Sequence, residues 1–82
     1  MQSNIKSDYV LYGTEGCHLC ELAEALVADF QLSVHHQDIC DDASLAKQYG
    51  MTIPVLKQIK SGQEIAWPFT QVEIKELIRS VV

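Results

Sequence analysis

Two cysteines, Cys17 and Cys20, lie three positions apart at the start of an amphipathic segment, TEGCHLCELAEALVADF, that covers residues 14–30. A close cysteine pair can bind a metal ion, crosslink the chain or exchange electrons as a dithiol–disulfide couple. In a reducing compartment, metal binding and redox catalysis are more common than a structural crosslink. The choice between these two uses depends on the elements that position the pair.

The cysteine pair lies between a predicted strand and a predicted helix. The apolar run at residues 9–12, ended by Gly13, is typical of a strand buried on both faces. Apolar residues then recur with helical spacing in one stripe: Leu19, Leu22, Ala23, Leu26, Val27 and Phe30. Cys17 therefore lies at a helix start, where free N–H groups and the helix dipole favour negative charge. Such a position can lower a thiol pKa from about 8.5 to about 3.5–7.5, and Cys20 lies one turn further on the same side.

A second strand and a short helix are predicted after the first helix. Residues 32–39 are more polar than the first strand, so we place this second strand nearer a sheet edge. Asp41 or Asp42 is predicted to cap a short helix that Gly50 ends. Two strands joined by a helix should run parallel, with a right-handed crossover.

The C-terminal third predicts a hairpin and a last helix. A strand begins at Pro54, Ser61-Gly62 forms the turn, and residues 63–67 return antiparallel. Thr70 and Glu73 have the spacing of a capping box. The inward residues of the helix that follows are Ile74, Leu77, Ile78 and Val81. The whole pattern predicts an α/β fold, a βαβαββα sandwich with a four-stranded mixed sheet, as one domain over residues 1–82.

Size and charge exclude several classes of protein. No apolar stretch approaches the ~20 residues of a membrane span, and the N-terminus lacks the apolar core of a signal peptide. We therefore expect a soluble cytoplasmic protein without a membrane partner. The net charge of −5 does not fit a nucleic-acid binder. Residues 1–50 hold eight acids against two bases, which gives −6, so the half with the cysteine pair is the acidic half.

The chain resembles the thioredoxin superfamily, and within it the glutaredoxins. Over roughly residues 7–80 it shares their element order, the Cys-x-x-Cys motif after the first strand and Thr52-Ile53-Pro54 before the third. It is similar to small bacterial glutaredoxin-like proteins that share a Cys-x-Leu-Cys motif and a Trp-Pro-Phe near the last helix. In this chain these are Cys17-His18-Leu19-Cys20 and Trp67-Pro68-Phe69. The resemblance implies a thioredoxin-like fold of glutaredoxin type.

The resemblance also implies a function, that of a thiol–disulfide oxidoreductase. Cys17 would be the nucleophile and Cys20 the resolving thiol, with no external cofactor. The substrate groove would be formed by Thr52, Ile53 and Pro54: a cis Pro54 would face the pair, and the backbone of Ile53 would bind an extended substrate. We expect a monomer that acts on a disulfide-containing protein or a small thiol.

Three departures from the glutaredoxin pattern concern glutathione. His18-Leu19 replaces the usual Pro-Tyr, Glu15 stands where a basic residue is common, and Ala66–Thr70 lacks the Gly-Gly and acidic residue of the family. Most of the glutathione-binding groups are thus missing, so we expect glutathione to be a weak partner. Near the pair, Glu15 would raise the thiol pKa, whereas His18 could either stabilise the thiolate or remain in solvent.

A zinc-binding module is the main alternative function. Cys17, Cys20, Cys40 and one of the three histidines, His18, His35 or His36, could supply a Cys₃His set. A second close ligand pair is missing, and neighbouring histidines on a strand face opposite ways. We therefore expect no bound metal and predict that Cys40 is a small buried or half-buried side chain. An inactive thioredoxin-like interaction domain is a third hypothesis, which the intact cysteine pair disfavours.

Overall fold

The computed structural model describes residues 7–80. Its strands are β1 (Tyr9–Gly13), β2 (Val34–Asp38), β3 (Val55–Gln58) and β4 (Glu64–Ala66). Its helices are α1 (His18–Ala28), α2 (Ala43–Tyr49) and α3 (Gln71–Arg79), and a 3₁₀ turn (Ile39–Asp41) joins β2 to α2. The element order is the predicted one. Val81, predicted to point inward from the last helix, lies outside the described residues.

The four strands form one mixed sheet in the order β2-β1-β3-β4. β1 pairs in parallel with β2 and antiparallel with β3, and β3 pairs antiparallel with β4. The predicted four-stranded mixed sheet is confirmed, with β1 inside it and β2 at its edge. Because β1 and β2 are parallel, their carboxyl ends lie at the same edge, where the chain enters α1 and the 3₁₀ turn.

The two faces of the sheet carry separate cores. Leu11 and Leu56, paired across β1 and β3, belong to the larger core together with residues from α1 and α3. Val55 lies on the opposite face, where it packs with Tyr49 of α2 and with Tyr12. Burying each large apolar side chain contributes about 1.5–3 kcal/mol, so both faces hold the sheet in place. No helix among residues 7–80 has the length and apolar character needed to cross a membrane.

The buried face of α1 follows the predicted stripe except at the start of the helix. Leu19 and Leu22 are 46% and 45% exposed, and the buried positions are Cys20, Ala23 and Val27. Ala23 and Val27 belong to the predicted stripe, and Leu26 and Phe30 pack against the core as well, so only Leu19 and Leu22 depart from it, with Cys20 buried in their place. The physical reason is that Cys20 occupies the inward position at the end of β1, which fixes the rotation of the first helical turn.

The predicted helix caps are confirmed. The side chain of Asp42 accepts a hydrogen bond from the backbone N–H of Ser44 at the start of α2, and Gly50 ends that helix. At the start of α3, Thr70 and Glu73 form the full capping box. The hydrogen bonds from Thr70 hold the pKa of the Glu73 carboxyl below its ordinary value. These caps fix where the two helices begin relative to the sheet.

A buried amide, Gln58, ends β3 at the edge remote from the cysteines. It is 1% exposed, and its Nε2 donates to the hydroxyl of Tyr9 at 3.1 Å and to the carbonyl of Leu77 at 2.8 Å. Its Oε1 accepts from Ser80 Oγ at 3.0 Å and from the hydroxyl of Ser61. Both ends of the amide are thus satisfied, as a buried polar group requires.

Candidate active site

Cys17 and Cys20 form a disulfide at the start of α1, with their Cα atoms 5.2 Å apart. Cys17 is the N-cap residue, and its Sγ accepts a hydrogen bond from the backbone N–H of Cys20 at 3.1 Å. Cys17 is partly exposed, whereas Cys20 is 8% exposed. The outer sulfur therefore belongs to Cys17, and it lies at the positive end of the helix dipole.

Two glycines allow this arrangement. A Cβ atom on Gly13, the last residue of β1, would lie 3.0 Å from Cys20 Sγ and 3.3 Å from Cys20 Cβ. The missing side chain lets Cys20 pack against the end of the strand. Gly16 has a φ of 80°, a left-handed conformation that glycine adopts at little cost, and it turns the chain into the helix.

Pro54 lies at the same edge of the sheet as the cysteine pair. The Ile53–Pro54 peptide bond is cis, as the resemblance implied. Tyr12 pairs with Val55, so extending the register by one residue places Pro54 opposite Gly13. Pro54 is buried, and its carbonyl accepts from the N–H of Trp67 at 2.9 Å. It thus lies one strand across from the residue that Cys20 packs against.

Thr52 and Ile53, which the resemblance places in a substrate groove, form a turn that is hydrogen-bonded to the end of α2. The N–H of Ile53 donates to the carbonyl of Tyr49 at 3.1 Å, so in this conformation it does not point to a substrate. The exposed Thr52 donates through its N–H at 2.9 Å and its hydroxyl at 3.3 Å to the same carbonyl. The N–H groups of Thr52 and Ile53 are therefore both used within the chain.

The segment after β4 anchors the loop that carries Pro54. Trp67 and Phe69 pack edge to face with centroids 5.2 Å apart, and Phe69 belongs to the larger core. The sequence did not indicate that the Trp67–Pro68 bond is also cis.

Charged residues flank the pair, and none in the described part of the chain, residues 7–80, contacts its sulfurs through a side-chain hydrogen bond or ion pair. The His18 imidazole lies 3.8 Å from the Glu21 carboxylate, and these side chains are 80% and 72% exposed. Solvent screens a charge in such an exposed position. Glu15 is also exposed, two residues before Cys17.

A polar cluster beside the pair was missed at the sequence level. Asp38 ends β2 and accepts a hydrogen bond from the N–H of Cys40 at 2.9 Å, which holds the pKa of the Asp38 carboxyl below its ordinary value. Thr14 Oγ1 lies 3.4 Å from Cys40 Sγ. The predicted parallel pairing of β1 and β2 could have indicated this cluster, because it brings Thr14 and Asp38 to the same edge of the sheet.

Cys40 is exposed, so its predicted burial is wrong. It falls in the 3₁₀ turn after an edge strand rather than within a core element. Among residues 7–80, no three side chains of the His, Cys, Asp and Glu types come together as metal ligands. The Cys₃His set of the zinc alternative is therefore not assembled.

The sheet order, the flanking helices and the disulfide at the start of α1 define a thioredoxin-like fold with a Cys-x-x-Cys site. Residues 9–79 match the model of the glutaredoxin-like domain family, DUF836, and the chain belongs to that family. Comparison with curated protein sequences found no significant match.

Solved structures of similar proteins have the same fold. The crystal structure of the structural-genomics target XcR50 from X. campestris is 33% identical, with 88% of this chain and 96% of that chain covered and a TM-score of 0.75. The solution structure of protein Ne2328 from Nitrosomonas europaea is 25% identical, with 100% of this chain and 99% of that chain covered and a TM-score of 0.71.

Proposed function

We propose that the protein is a dithiol–disulfide oxidoreductase that works through Cys17 and Cys20. The observation that carries the proposal is the hydrogen bond from the Cys20 N–H to Cys17 Sγ at the start of α1. A backbone donor and the helix dipole stabilise a thiolate more than a thiol at this sulfur. The partial exposure of Cys17 supports its role as the attacking residue.

The proposed reaction has two exchange steps. The Cys17 thiolate attacks one sulfur of a substrate disulfide, forms a mixed disulfide and releases the first substrate thiolate, which takes up a proton. Cys20 then loses its proton and attacks the Cys17 sulfur, which releases the second substrate thiol and closes the Cys17–Cys20 disulfide. Two electrons pass from the protein dithiol to the substrate, and an external dithiol or thiol restores the reduced pair.

The positions of the other residues support a role in substrate binding. Pro54 and the Ile53 carbonyl would form the surface across from the pair, with Thr52 at its rim. Glu15 and His18 are exposed and would tune the thiolate only through solvent. The cytoplasm is the compartment that we propose, because a reducing environment keeps the exposed Cys40 thiol free.

Serine substitutions test the proposal. We expect Cys20→Ser to accumulate a mixed disulfide with a peptide disulfide substrate, and Cys17→Ser to abolish it, as followed by non-reducing electrophoresis and mass spectrometry. Cys40→Ser is the matched control and should leave turnover unchanged. Trapping by Cys17→Ser but not by Cys20→Ser would reverse the assignment, and no exchange by the reduced wild-type protein would refute the function.

A further inference from the structure

Asp38, at the end of β2, faces the same space as the inner sulfur of the cysteine pair. It pairs in parallel with Gly13, and paired residues of neighbouring strands carry their side chains on one face of the sheet. A Cβ atom on Gly13 would lie 3.0 Å from Cys20 Sγ. Because neighbouring strands lie about 4.8 Å apart, the Asp38 Cβ is within about 8 Å of that sulfur. Both residues line one cleft of about 260 Å³, which Cys17 does not line.

The Asp38 carboxylate is a fixed negative charge. Its Oδ1 accepts a hydrogen bond from the Cys40 N–H at 2.9 Å, so the side chain caps the 3₁₀ turn. This bond first, and a hydrogen bond from the Thr14 side chain to a smaller extent, hold the pKa of the Asp38 carboxyl below its ordinary value. A carboxylate stabilised in this way is a poor proton acceptor at neutral pH. Asp38 can therefore act on Cys20 through its charge, but not as a base.

Three other titratable side chains line the cleft. Glu15 comes from the loop after β1, Glu24 from α1 and His36 from β2, and all three are exposed. Solvent screens charges in such positions. None of the three pairs with Gly13, because His36 pairs with Leu11 and the two glutamates lie outside β2. Asp38 is thus the charge that the fold holds next to Cys20.

We propose that the charge of Asp38 keeps Cys20 protonated while Cys17 is a thiolate, and so sets the order in which the two sulfurs react. A nearby like charge disfavours ionisation, and in the reduced pair Cys20 faces two such charges, those of Asp38 and of the Cys17 thiolate. Once Cys17 has joined a substrate sulfur, only the charge of Asp38 remains.

The Cys20 proton then passes to solvent through the cleft. The Cys20 thiolate attacks Cys17 Sγ, which closes the disulfide and releases the substrate thiolate. Asp38 acts through Cys20, so it is a positioning residue rather than a catalytic one. The proposal rests on the proposed oxidoreductase function and adds a residue that regulates it.

The two phases of a model exchange reaction test this role. Reduced protein with Cys40→Ser, which leaves only the thiols of the pair, is mixed with one equivalent of 2,2′-dithiodipyridine, a neutral disulfide. Attack by Cys17 releases one thiopyridone and forms the mixed disulfide, and resolution by Cys20 releases the second. Stopped-flow rates are measured from about pH 7.5 to about 10.5, where an ordinary imidazole is neutral, and each phase gives the pH midpoint of one cysteine.

Removing the charge of Asp38 should shift the second phase. Asp38→Asn keeps a side-chain oxygen for the cap, and we expect it to lower the second midpoint by about 0.5–1 pH unit and the first by less than half as much. Below its midpoint the second phase should become about two- to threefold faster, and its high-pH plateau should fall by a similar factor, because a less basic thiolate is a weaker nucleophile.

Asp42→Asn is the matched control. Asp42 caps α2 through the same kind of bond, from the Ser44 N–H at 2.9 Å, and lies outside the cleft, so its substitution should leave both midpoints unchanged. Asp38→Ser, which is neutral and can also cap the turn, repeats the test with a second side chain.

An unchanged second midpoint in the two Asp38 variants, or an equal shift in Asp42→Asn, would overturn the proposal. Two phases with unshifted midpoints refute only the role of Asp38. Release of thiopyridone without closure of the Cys17–Cys20 disulfide refutes the oxidoreductase function and the role of Asp38 with it.

Discussion

Replacing Gly13 with alanine should make the disulfide easier to reduce. The added Cβ would lie 3.0 Å from Cys20 Sγ, whereas non-bonded heavy atoms are best separated by about 3.5–4.0 Å. The overlap is therefore about 0.5–1 Å, and overpacking of this kind usually costs about 1–3 kcal/mol. In the oxidised protein the bond to Cys17 prevents Cys20 Sγ from rotating away.

Gly13→Ala should destabilise the reduced protein less than the oxidised protein. A free Cys20 thiol can change its side-chain rotamer, which leaves the milder 3.3 Å contact with Cys20 Cβ. We expect the reduced form to lose about half as much stability as the oxidised form, or less. This difference shifts the redox equilibrium towards the dithiol by about three- to tenfold.

Two measurements and one control test this reasoning. Urea unfolding, followed by Trp67 fluorescence, gives the stability of each redox form, and equilibration with dithiothreitol followed by alkylation gives the redox ratio. Gly62→Ala is the control, because Gly62 has a φ of 76° and an added Cβ there would meet no atoms within 4 Å. It should cost about 1–2 kcal/mol in both forms and leave the redox ratio unchanged. Equal destabilisation of both forms by Gly13→Ala, or a shift towards the disulfide, would refute the steric argument.

Three further predictions concern glutathione, zinc and Tyr49. Turnover of a small glutathione mixed disulfide should be at least about tenfold slower than with an active glutaredoxin, because unmatched like charges at close range cost on the order of 2–3 kcal/mol before screening. The turnover should rise in Glu15→Lys. Rates comparable to those of the glutaredoxin, or no response to the substitution, would contradict this prediction. Elemental analysis of the reduced protein should find no stoichiometric zinc, and one tightly held zinc per chain would favour the metal-binding alternative. Burial, followed by the hydrogen bond to Glu64, raises the pKa of Tyr49 from 10.0 to about 12. The stabilisation that protonated Tyr49 gives is complete below pH 10 and is lost as the pH rises through about 12. In urea unfolding, the difference in stability between wild type and Tyr49→Phe should therefore narrow over that interval. A constant difference would contradict the assignment.

Local signals in the sequence predicted most of the fold. The apolar run of β1, the cap at Asp42 and the capping box at Thr70 depend on neighbouring residues, and each is confirmed. The position of Cys17 at a helix start follows from the same kind of signal. The sequence was therefore sufficient to place the outer sulfur at a helix N-terminus.

Features set by tertiary packing were harder to predict. The rotation of the first turn of α1 depends on Cys20 packing against Gly13, which hydrophobic spacing does not record. The exposure of Cys40 and its approach to Thr14 depend on how β2 ends beside β1. The bond from the Ile53 N–H to Tyr49 depends on the tight turn after α2. The first two features depend on how separate elements pack, and the last depends on a turn conformation that the residue pattern does not specify.

The hydrogen bonds of Gln58 have a consequence for the cysteine pair at the opposite edge of the sheet. Sliding β3 by one residue against β1 would take the amide out of reach of Tyr9 and Leu77 and leave polar groups unpaired in the core. The same slide would move Pro54 away from its place opposite Gly13. The hydrogen bonds of Gln58 at one end of the four-residue strand β3 therefore help to hold Pro54 opposite Gly13 at the other end. A mispaired β3 would lose stability whether or not a substrate is bound.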